Sequence, residues 1–537
     1  VPRSNEFEAV VTVAGDSGTS ALASDEVDPG SGKSIAELVR GLERCGFACS
    51  TTLADLTRVL RVEVDSRQVR AGDLFVAAPG ARAHGLAFAP QAVASGAVAV
   101  LCSNSHRSLA GDLPAIFVDD VQRAAGHLAA LLVDEPAERV ALVGVTGTNG
   151  KTSCTYLLES IWRAAGVPCG VGGTIVQRGP GFERSARLTT PGAVELQGFL
   201  AELSRAGARW AALEVSSHAL AQHRVAGAIF RAAVFTNLTR DHLDYHRTED
   251  EYFTAKMLLF SEYLDHDRGV AVINADDPRA DLVKHSACGS SVITYSGSGA
   301  AADLRVEAAT SSLAGVRGTL VGLGQRIAFS SRLFGAANLS NIAAAAATAL
   351  ATGVDPEAVG LGISQAEPVP GRLERIGDED PAVFVDYAHT PDALERTLAA
   401  VRQFAPARVV VVFGCGGDRD RGKRPLMGGI AARLADVVVL TSDNPRSEDP
   451  DDILAEIEKG VVGGLARAEP SELETPGARG YLVEEDREAA IRIALGVAQP
   501  ADVVVIAGKG HEDYQEIAGV RRPFDDRAIA AMLARTP

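Results

Sequence analysis

The stretch that decides the fold runs Ala141-Leu142-Val143-Gly144-Val145 and then Gly147-Thr148-Asn149-Gly150-Lys151-Thr152-Ser153. The first five residues are apolar and read as a buried strand; the next seven read as a glycine loop opening a helix. Such a loop turns backbone N–H groups toward phosphate, and the helix N-terminus adds the positive end of its dipole. Lys151 is placed to reach β- and γ-phosphates, and Thr152 offers a hydroxyl to Mg²⁺. The spacing is not the general one, because two residues rather than four separate Gly147 from Gly150. The strand–loop–helix context and the Lys-Thr pair carry the reading; the alternative is a tight turn with a chance lysine.

A length of 537 residues predicts three or four domains. The net charge of −17 argues against a nucleic-acid binder, which presents a basic face, but leaves anionic small ligands open. Cys45, Cys49, Cys102, Cys154, Cys169, Cys288 and Cys415 are scattered with no CxxC pair, which predicts reduced thiols and a cytoplasmic chain. No apolar run reaches the roughly 18 residues of a membrane span. Residues 1–33 are rich in Ser, Gly, Asp and Glu and are expected to form a flexible leader with no signal peptide ahead of the folded part.

Three α/β regions are expected after the leader. Residues 34–138 alternate short strands (61–65, 74–77, 97–101) with helices, the last over 122–132, and Asp134-Glu135-Pro136 reads as a linker. Residues 139–370 place strand candidates at 140–145, 208–215, 231–236 and 269–274 with helical patterns between them, the signature of a parallel sheet. Alanine-rich 341–351 reads as a helix, and Glu367-Pro368-Val369-Pro370-Gly371 as a hinge. Residues 371–537 place strands at 382–385, 408–413, 436–440 and 502–506. Each runs straight into a polar motif: DYAHTP (386–391), GCGGDRD (414–420), SDNPR (442–446) and AGKGHE (507–512). In a parallel sheet all four motifs sit at the carboxyl edge, where doubly wound folds bind ligands.

In the central region Glu214-Val215-Ser216-Ser217-His218 follows one strand and Asn237-Leu238-Thr239-Arg240-Asp241-His242-Leu243-Asp244 another. Glu214 is a natural carboxylate for Mg²⁺. His242 taken alone reads as a hydrogen-bonded loop residue, and Lys256 in Tyr252-Phe253-Thr254-Ala255-Lys256-Met257 as a solvated helix lysine.

Together GTNGKTS, EVSSHAL, NLTRDHLDYH, YFTAKMLLF, GAANLSNIAAA, PGRLE, DYAHTP and the C-terminal loops resemble the Mur ligase family of peptidoglycan synthesis, from about residue 61 to the C-terminus. The amino-terminal VDSRQVRAGDLFVAAPG joins the resemblance, which is strongest to the diaminopimelate-adding members. It implies an N-terminal uridine-nucleotide domain, a central P-loop ATPase-like parallel-sheet domain and a C-terminal Rossmann-like domain for the incoming amino acid. The implied reaction joins meso-diaminopimelate to the D-Glu γ-carboxylate of UDP-MurNAc-L-Ala-D-Glu at the expense of ATP.

By the same resemblance the whole loop Gly147–Ser153 holds ATP. Thr152, Glu214, His242 and Lys256 attend Mg²⁺, with Lys256 carrying a CO₂-derived carbamate. The logic of that modification is that an anionic oxygen replaces an ammonium that would repel the metal. Asn338, Asn341, Arg372 and Asp386 match ATP contacts, and His389 faces the reaction. Ser66 and Arg67 lie near the uridine; Thr189, Thr190, Ser216, Gln222 and Arg224 match contacts to the muramoyl-peptide and its phosphates. Asp443, Asn444, Pro445, Arg446, Arg419, Gly508 and Glu512 match diaminopimelate contacts. Arg446 can grip a distal carboxylate with two parallel hydrogen bonds, which lysine lacks.

The Ala81-Arg82-Ala83-His84 stretch and Ser153 depart from the family pattern. The rivals are the same ligase adding L-lysine or another diamino acid, and, from a different class, an ATP-binding regulator without ligase chemistry. No nucleic-acid polymer, membrane span or obligate protein partner is expected.

Overall fold

The computed structural model describes residues 32–80, 83–239, 241–287, 289–405 and 407–534. The leader expected over 1–33 therefore lies outside the described residues as far as residue 31, as do Ala81, Arg82, Arg240 and Cys288. The other six cysteines are free thiols. Lys33, expected in the leader, instead opens the strand Lys33–Ser34, paired antiparallel to Arg58–Val59. Ser34 then caps the helix Ile35–Arg44 in a reciprocal capping box with Glu37. Among the described residues no helix is long and apolar enough to cross a membrane.

The chain divides into two compact units at Asp119/Asp120. The first holds a five-stranded sheet in the order Ser50–Thr51, Ala115–Val118, Ala99–Ser103, Asp73–Val76, Arg61–Glu63, parallel except for the first strand. The strand expected over 61–65 stops at Glu63. The Glu63 carboxylate takes the N–H groups of Val64 and Asp65, donors that a continuing ladder would need.

The second unit contains two large sheets. The four strands expected in the central region are Ala141–Thr146, Trp210–Glu214, Phe230–Phe235 and Val270–Asn274. They lie in one eleven-stranded sheet with Trp210–Glu214 and Phe230–Phe235 flanking Ala141–Thr146 in parallel. Alternate residues of these strands feed two separate cores. Val143, Val145, Ala212 and Val234 meet the helices Lys151–Ala164 and Ala337–Ala351. Leu142, Leu213, Ala233 and Phe235 meet Ala193–Arg205 and Glu249–Ser261. A strand buried on both faces must be apolar throughout, which is why these strands read as continuous runs.

The parallel-sheet expectation is corrected at both edges. Val176–Gly179 and Phe182–Ser185 form an antiparallel hairpin on one side, and Leu304–Ser312, Gly315–Gly322 and Gln325–Ser331 an antiparallel meander on the other. Those outer strands alternate buried and exposed residues, as in Gln325–Ser331, because one face meets water. The helix Val121–Leu132 belongs by its contacts to this unit, packing on Ala193–Arg205.

The second sheet runs Glu374–Ile376, Ala382–Asp386, Val503–Ala507, Val409–Phe413, Val437–Leu440, Gly480–Val483, parallel apart from its antiparallel first strand. Asp386, Gly414, Thr441 and Gly508 consequently emerge at one carboxyl edge. At the opposite end Arg408 is buried and donates to Asp502 at 2.7 and 3.0 Å and to the Leu473 and Val497 carbonyls. Burial pushes the Asp502 carboxyl up, but bonds from Arg408 and the Gln499 N–H outweigh it and leave the group below its ordinary value. This stabilisation is therefore present above the usual carboxylate pKa and lost as pH falls through the depressed one. Arg408→Ala strands a buried carboxylate and is expected to cost about 3–5 kcal/mol in urea-melt stability. A loss under about 1 kcal/mol would show the pair to be dispensable.

Candidate active site

The glycine loop leaves the strand Ala141–Thr146 and enters the helix Lys151–Ala164 through Gly150, whose φ of 87° is left-handed. A Cβ on Gly150 would overlap Asn341 Oδ1, and one on Gly147 would overlap Thr236 Oγ1. Gly150→Ala is thus expected to weaken ATP binding at least about tenfold in nucleotide titration, since both strain and overlap displace the loop. Unchanged affinity would show the loop to be indifferent to its backbone. Neighbouring strand ends hold it in place. Thr148 N–H donates to the Asn237 carbonyl at 2.8 Å, Asn149 N–H to Asn237 Oδ1 at 3.0 Å, and Thr236 Oγ1 to the Asn149 carbonyl at 2.6 Å. Ser153 lies in the first turn of the helix, one residue beyond buried Thr152.

Two lysines converge on this loop. Lys151 Nζ donates to the carbonyls of Gly147 at 3.0 Å and Thr148 at 2.9 Å, and Lys256 Nζ donates to the same Gly147 carbonyl at 2.9 Å. Two ammonium groups at one oxygen repel each other. Lys256 is only 1% exposed, and burial, reinforced by the Lys151 charge, holds its pKa well below the ordinary lysine value. Burial lowers Lys151 too, and the Glu214 charge offsets that lowering only in part. The reading of Lys256 as a solvated helix lysine is overturned, because the helix Glu249–Ser261 turns it inward over the Tyr252 ring at 4.3 Å. Tyr252 OH lies 3.1 Å from Thr148 Oγ1, and its ring meets His242 at 5.9 Å. His242, with φ 54° and half its side chain exposed, packs edge-on against His218 at 4.8 Å. It stands one ring away from the lysine pair rather than beside it.

Glu214 closes the strand Trp210–Glu214 and is buried. Its oxygens accept from Thr174 N–H at 2.8 Å and Thr174 Oγ1 at 3.1 Å, leaving lone pairs on both. Around it, Thr174 Oγ1 is 3.1 Å from Thr189 Oγ1, and Thr190 Oγ1 donates to the Glu214 carbonyl at 2.8 Å and accepts from Ser216 N–H at 3.1 Å. Arg224 donates to the Thr190 carbonyl at 3.3 Å and to Gln222 Oε1 at 2.6 Å. Thr189, Thr190, Ser216, Gln222 and Arg224, scattered in sequence, therefore form one polar wall. Thr174 completes it and was missed; its signal was the Gly172-Gly173-Thr174 strand end. On the helix side Asn341 donates to Asn338 Oδ1 at 2.9 Å, and Asn338 to the Phe334 carbonyl at 2.7 Å.

An Mg²⁺ ion fits the donor set. It takes a few hard oxygens and completes its shell with phosphate and water. Glu214 and the Thr152 hydroxyl supply such oxygens beside the loop. Among the described residues no three His, Cys, Asp or Glu side chains form a protein-only cage.

At the edge of the second sheet, Asp386 is buried and accepts from Leu373 N–H at 2.7 Å, Ala388 N–H at 3.0 Å and Thr397 Oγ1 at 2.8 Å. Burial raises its pKa against those donors and the Arg372 charge. Arg372 lies over the Tyr387 ring at 4.8 Å, close enough for its charge to act on Lys151. His389 Nδ1 lies 2.8 Å from the Tyr387 carbonyl, a partner that only an N–H can satisfy. Burial depresses the His389 pKa, so the ring is neutral near pH 7 with an unprotonated Nε2.

The SDNPR and AGKGHE loops interlock. Asn444 Nδ2 donates to Glu512 Oε2 at 2.9 Å, and Asn444 Oδ1 accepts from Lys509 Nζ at 2.8 Å and Glu516 N–H at 2.9 Å. Arg446 is held left-handed with φ 53°, its backbone bonded to Glu516 and Ala518, and uses one guanidinium N–H on the Gly417 carbonyl at 2.7 Å. Gly508 admits Asp443 closely, since a Cβ there would lie 2.9 Å from Asp443 Oδ2. Pro445 is buried between these contacts. Arg419 is exposed and donates to the Asp418 carbonyl at 3.0 Å instead of entering the cluster. Lys509 of the AGKGHE motif is fully buried, which sequence reasoning missed. In the first unit Arg67 grips Asp65 at 2.7 Å and holds that carboxyl at about 2, with Ser66 between them on the loop after Arg61–Glu63.

Three family models cover most of the chain: the Mur ligase family catalytic domain over residues 58–132, the Mur ligase middle domain over 145–349, and the Mur ligase glutamate ligase domain over 371–510. A UDP-N-acetylmuramoyl-L-alanyl-D-glutamate–2,6-diaminopimelate ligase of Gloeobacter violaceus is 48% identical over 87% of this chain and 92% of its own length. The ligase of the same name from Geobacter metallireducens is 46% identical over 88% and 93%. A solved structure bearing that name superposes with a TM-score of 0.67 at 36% identity, over 91% of this chain and 98% of that one. MurF of Acinetobacter baumannii, 19% identical with a TM-score of 0.59 over 89% of this chain and 96% of its own, shares the fold. The glycine loop with its two converging lysines and the polar wall around Glu214 lie inside the middle-domain match, the carboxyl edge from Asp386 to Gly508 inside the glutamate ligase match, and the chain belongs to the Mur ligase family.

Proposed function

We propose that this protein joins meso-diaminopimelate to the γ-carboxylate of the D-Glu residue in UDP-MurNAc-L-Ala-D-Glu, with ATP cleaved to ADP and phosphate, in the cytoplasm. The observation that carries the proposal is the cluster in which buried Asp443 and Asn444 meet half-buried Arg446 and Glu512. It offers a guanidinium for a distal carboxylate and carboxylates for a distal ammonium, in a chain whose relatives of 44–48% identity are named for 2,6-diaminopimelate. In this reading residues 34–138 take the uridine nucleotide, with Ser66 and Arg67 beside it, residues 139–370 take ATP, and residues 371–537 take the amino acid.

The γ-carboxylate attacks the ATP γ-phosphorus; the bond to the β–γ bridging oxygen breaks, leaving ADP and an acyl phosphate. The amine of diaminopimelate then attacks the acyl carbon and inorganic phosphate departs. Gly147–Ser153 cradles the phosphates and Lys151 neutralises charge on them, as positioning dominates phosphoryl transfer. Mg²⁺, when bound near Thr152 and Glu214, would offset further phosphate charge. Asn338 and Asn341 line the nucleoside side, and Arg372 and Asp386 reach the nucleotide from the second sheet. The wall from Thr189 to Arg224 orients the muramoyl-peptide. His389 Nε2 is the free base for the proton the amine sheds. Lys256, whose ammonium form burial and the Lys151 charge disfavour, can add CO₂ through its neutral amine to give a carbamate, with His242 on the far side of Tyr252. Arg419, exposed on its loop, is free to turn toward the amino acid's carboxylate.

Phosphate release with ATP, Mg²⁺ and UDP-MurNAc-L-Ala-D-Glu, comparing meso-diaminopimelate with L-lysine, tests the reading. Release with diaminopimelate alone is expected. Release with lysine instead would transfer the chain to lysine addition, and release with neither would leave an ATP-binding regulator.

A further inference from the structure

Lys509 lies between the two loops of the proposed amino-acid site and is 0% exposed. Its Nζ is 2.8 Å from Asn444 Oδ1, 2.8 Å from the Tyr514 carbonyl and 3.4 Å from Asp443 Oδ1, with Glu512 Oε2 at 3.9 Å. It donates hydrogen bonds to the first two, and the Asp443 and Glu512 carboxylates beside it are ion-pair partners that only its ammonium form has. Burial works against that charge, while Asp443 and Glu512 favour it.

Two consequences follow from this placement. Asn444 Oδ1 receives Lys509 and the Glu516 N–H, so its NH₂ is forced toward Glu512, fixing that carboxylate. The charges also balance. Asp443 and Glu512 are matched by Lys509 and Arg446, while the neighbouring Arg487 is matched by fully buried Asp526 at 2.7 Å. A site neutral in sum suits a ligand end that is neutral in sum. The distal end of diaminopimelate, an ammonium and a carboxylate on one carbon, is such an end; the lone ε-ammonium of lysine is not.

We infer that Lys509 is a specificity-determining positioning residue, whose buried ammonium cancels one of the two site carboxylates and so sets the pocket to take a zwitterionic amino-acid end over a cationic one. The inference rests on the diaminopimelate reading above. Removing this charge leaves an anionic pocket that penalises the distal carboxylate and favours a bare ammonium.

The test uses the full-length protein and phosphate release, with meso-diaminopimelate and L-lysine titrated separately. Lys509→Met removes charge and donors; Lys509→Gln removes charge but keeps a donor for Asn444 Oδ1 or the Tyr514 carbonyl. For both variants kcat/KM with diaminopimelate is expected to fall at least about thirtyfold, mainly through KM, while that with lysine holds or rises, shifting the ratio at least about tenfold. Equal losses with the two amino acids, an unchanged ratio, or failure of both variants to fold would overturn the inference and leave Lys509 a structural residue. Wild-type protein that turns over no diaminopimelate would overturn the activity reading and this inference with it. Wild-type turnover with an unshifted ratio in the variants overturns this inference alone.

Discussion

Lys256→Ala is expected to lower kcat by about 10²–10³-fold while leaving ATP affinity within a few-fold, the scale seen when one charge stabiliser leaves a reaction centre. Lys256 and Lys151 both reach the Gly147 carbonyl, and burial beside the Lys151 charge disfavours the ammonium form of Lys256. A neutral amine is the form that adds CO₂; an ammonium has no lone pair to do so. The product carries negative oxygen where an ammonium would repel both Lys151 and a metal ion. Activity should accordingly fall in CO₂-stripped buffer and recover with bicarbonate, and the intact protein should show the mass of one CO₂ adduct that Lys256→Ala lacks. Near-normal turnover by the alanine variant would remove the carbamate from the mechanism, leaving Lys256 as a support for the loop carbonyl.

Arg446→Ala is expected to raise the KM for diaminopimelate by about 10²–10³-fold with a much smaller change in kcat, because truncating one partner of a buried charged contact costs about 2–5 kcal/mol. The guanidinium spends one N–H on the Gly417 carbonyl, and its left-handed backbone is tied to Glu516 and Ala518. It is thus preorganised with donors to spare, and little ordering cost remains for binding. Lysine, without a distal carboxylate, should lose little in the same variant. An unaltered KM for diaminopimelate would refute the assignment of Arg446.

Much of this was legible from the letters because the strands are buried on both faces. Val409–Phe413 and Val503–Ala507 must be apolar along their whole length, so each ends visibly at its first polar motif. Where a strand meets water the signal weakened. The meander from Leu304 to Ser331 was not foreseen, because its alternation resembles that of an ordinary polar surface segment. The same limit hid Thr174 and Lys509. Neither residue type announces chemistry, and each acquires a role only through a partner far away in the chain, Glu214 for one and Asn444 for the other.

By itself the sequence determined the α/β class, the succession of strand-terminal motifs, and the resemblance of those motifs to the Mur ligase family. These are local properties, set by residue type and spacing within a single strand and the loop that follows it. Only the tertiary structure decided that Lys256 is buried and shares a carbonyl with Lys151. Likewise it alone decided that Thr189, Thr190, Ser216, Gln222 and Arg224 form one wall, that His242 stands a ring away, and that Lys509 lies among the carboxylates around Asn444. Burial and charge coupling depend on what other segments bring within a few ångströms, and that is settled by the packing of the sheets and not by the order of the letters.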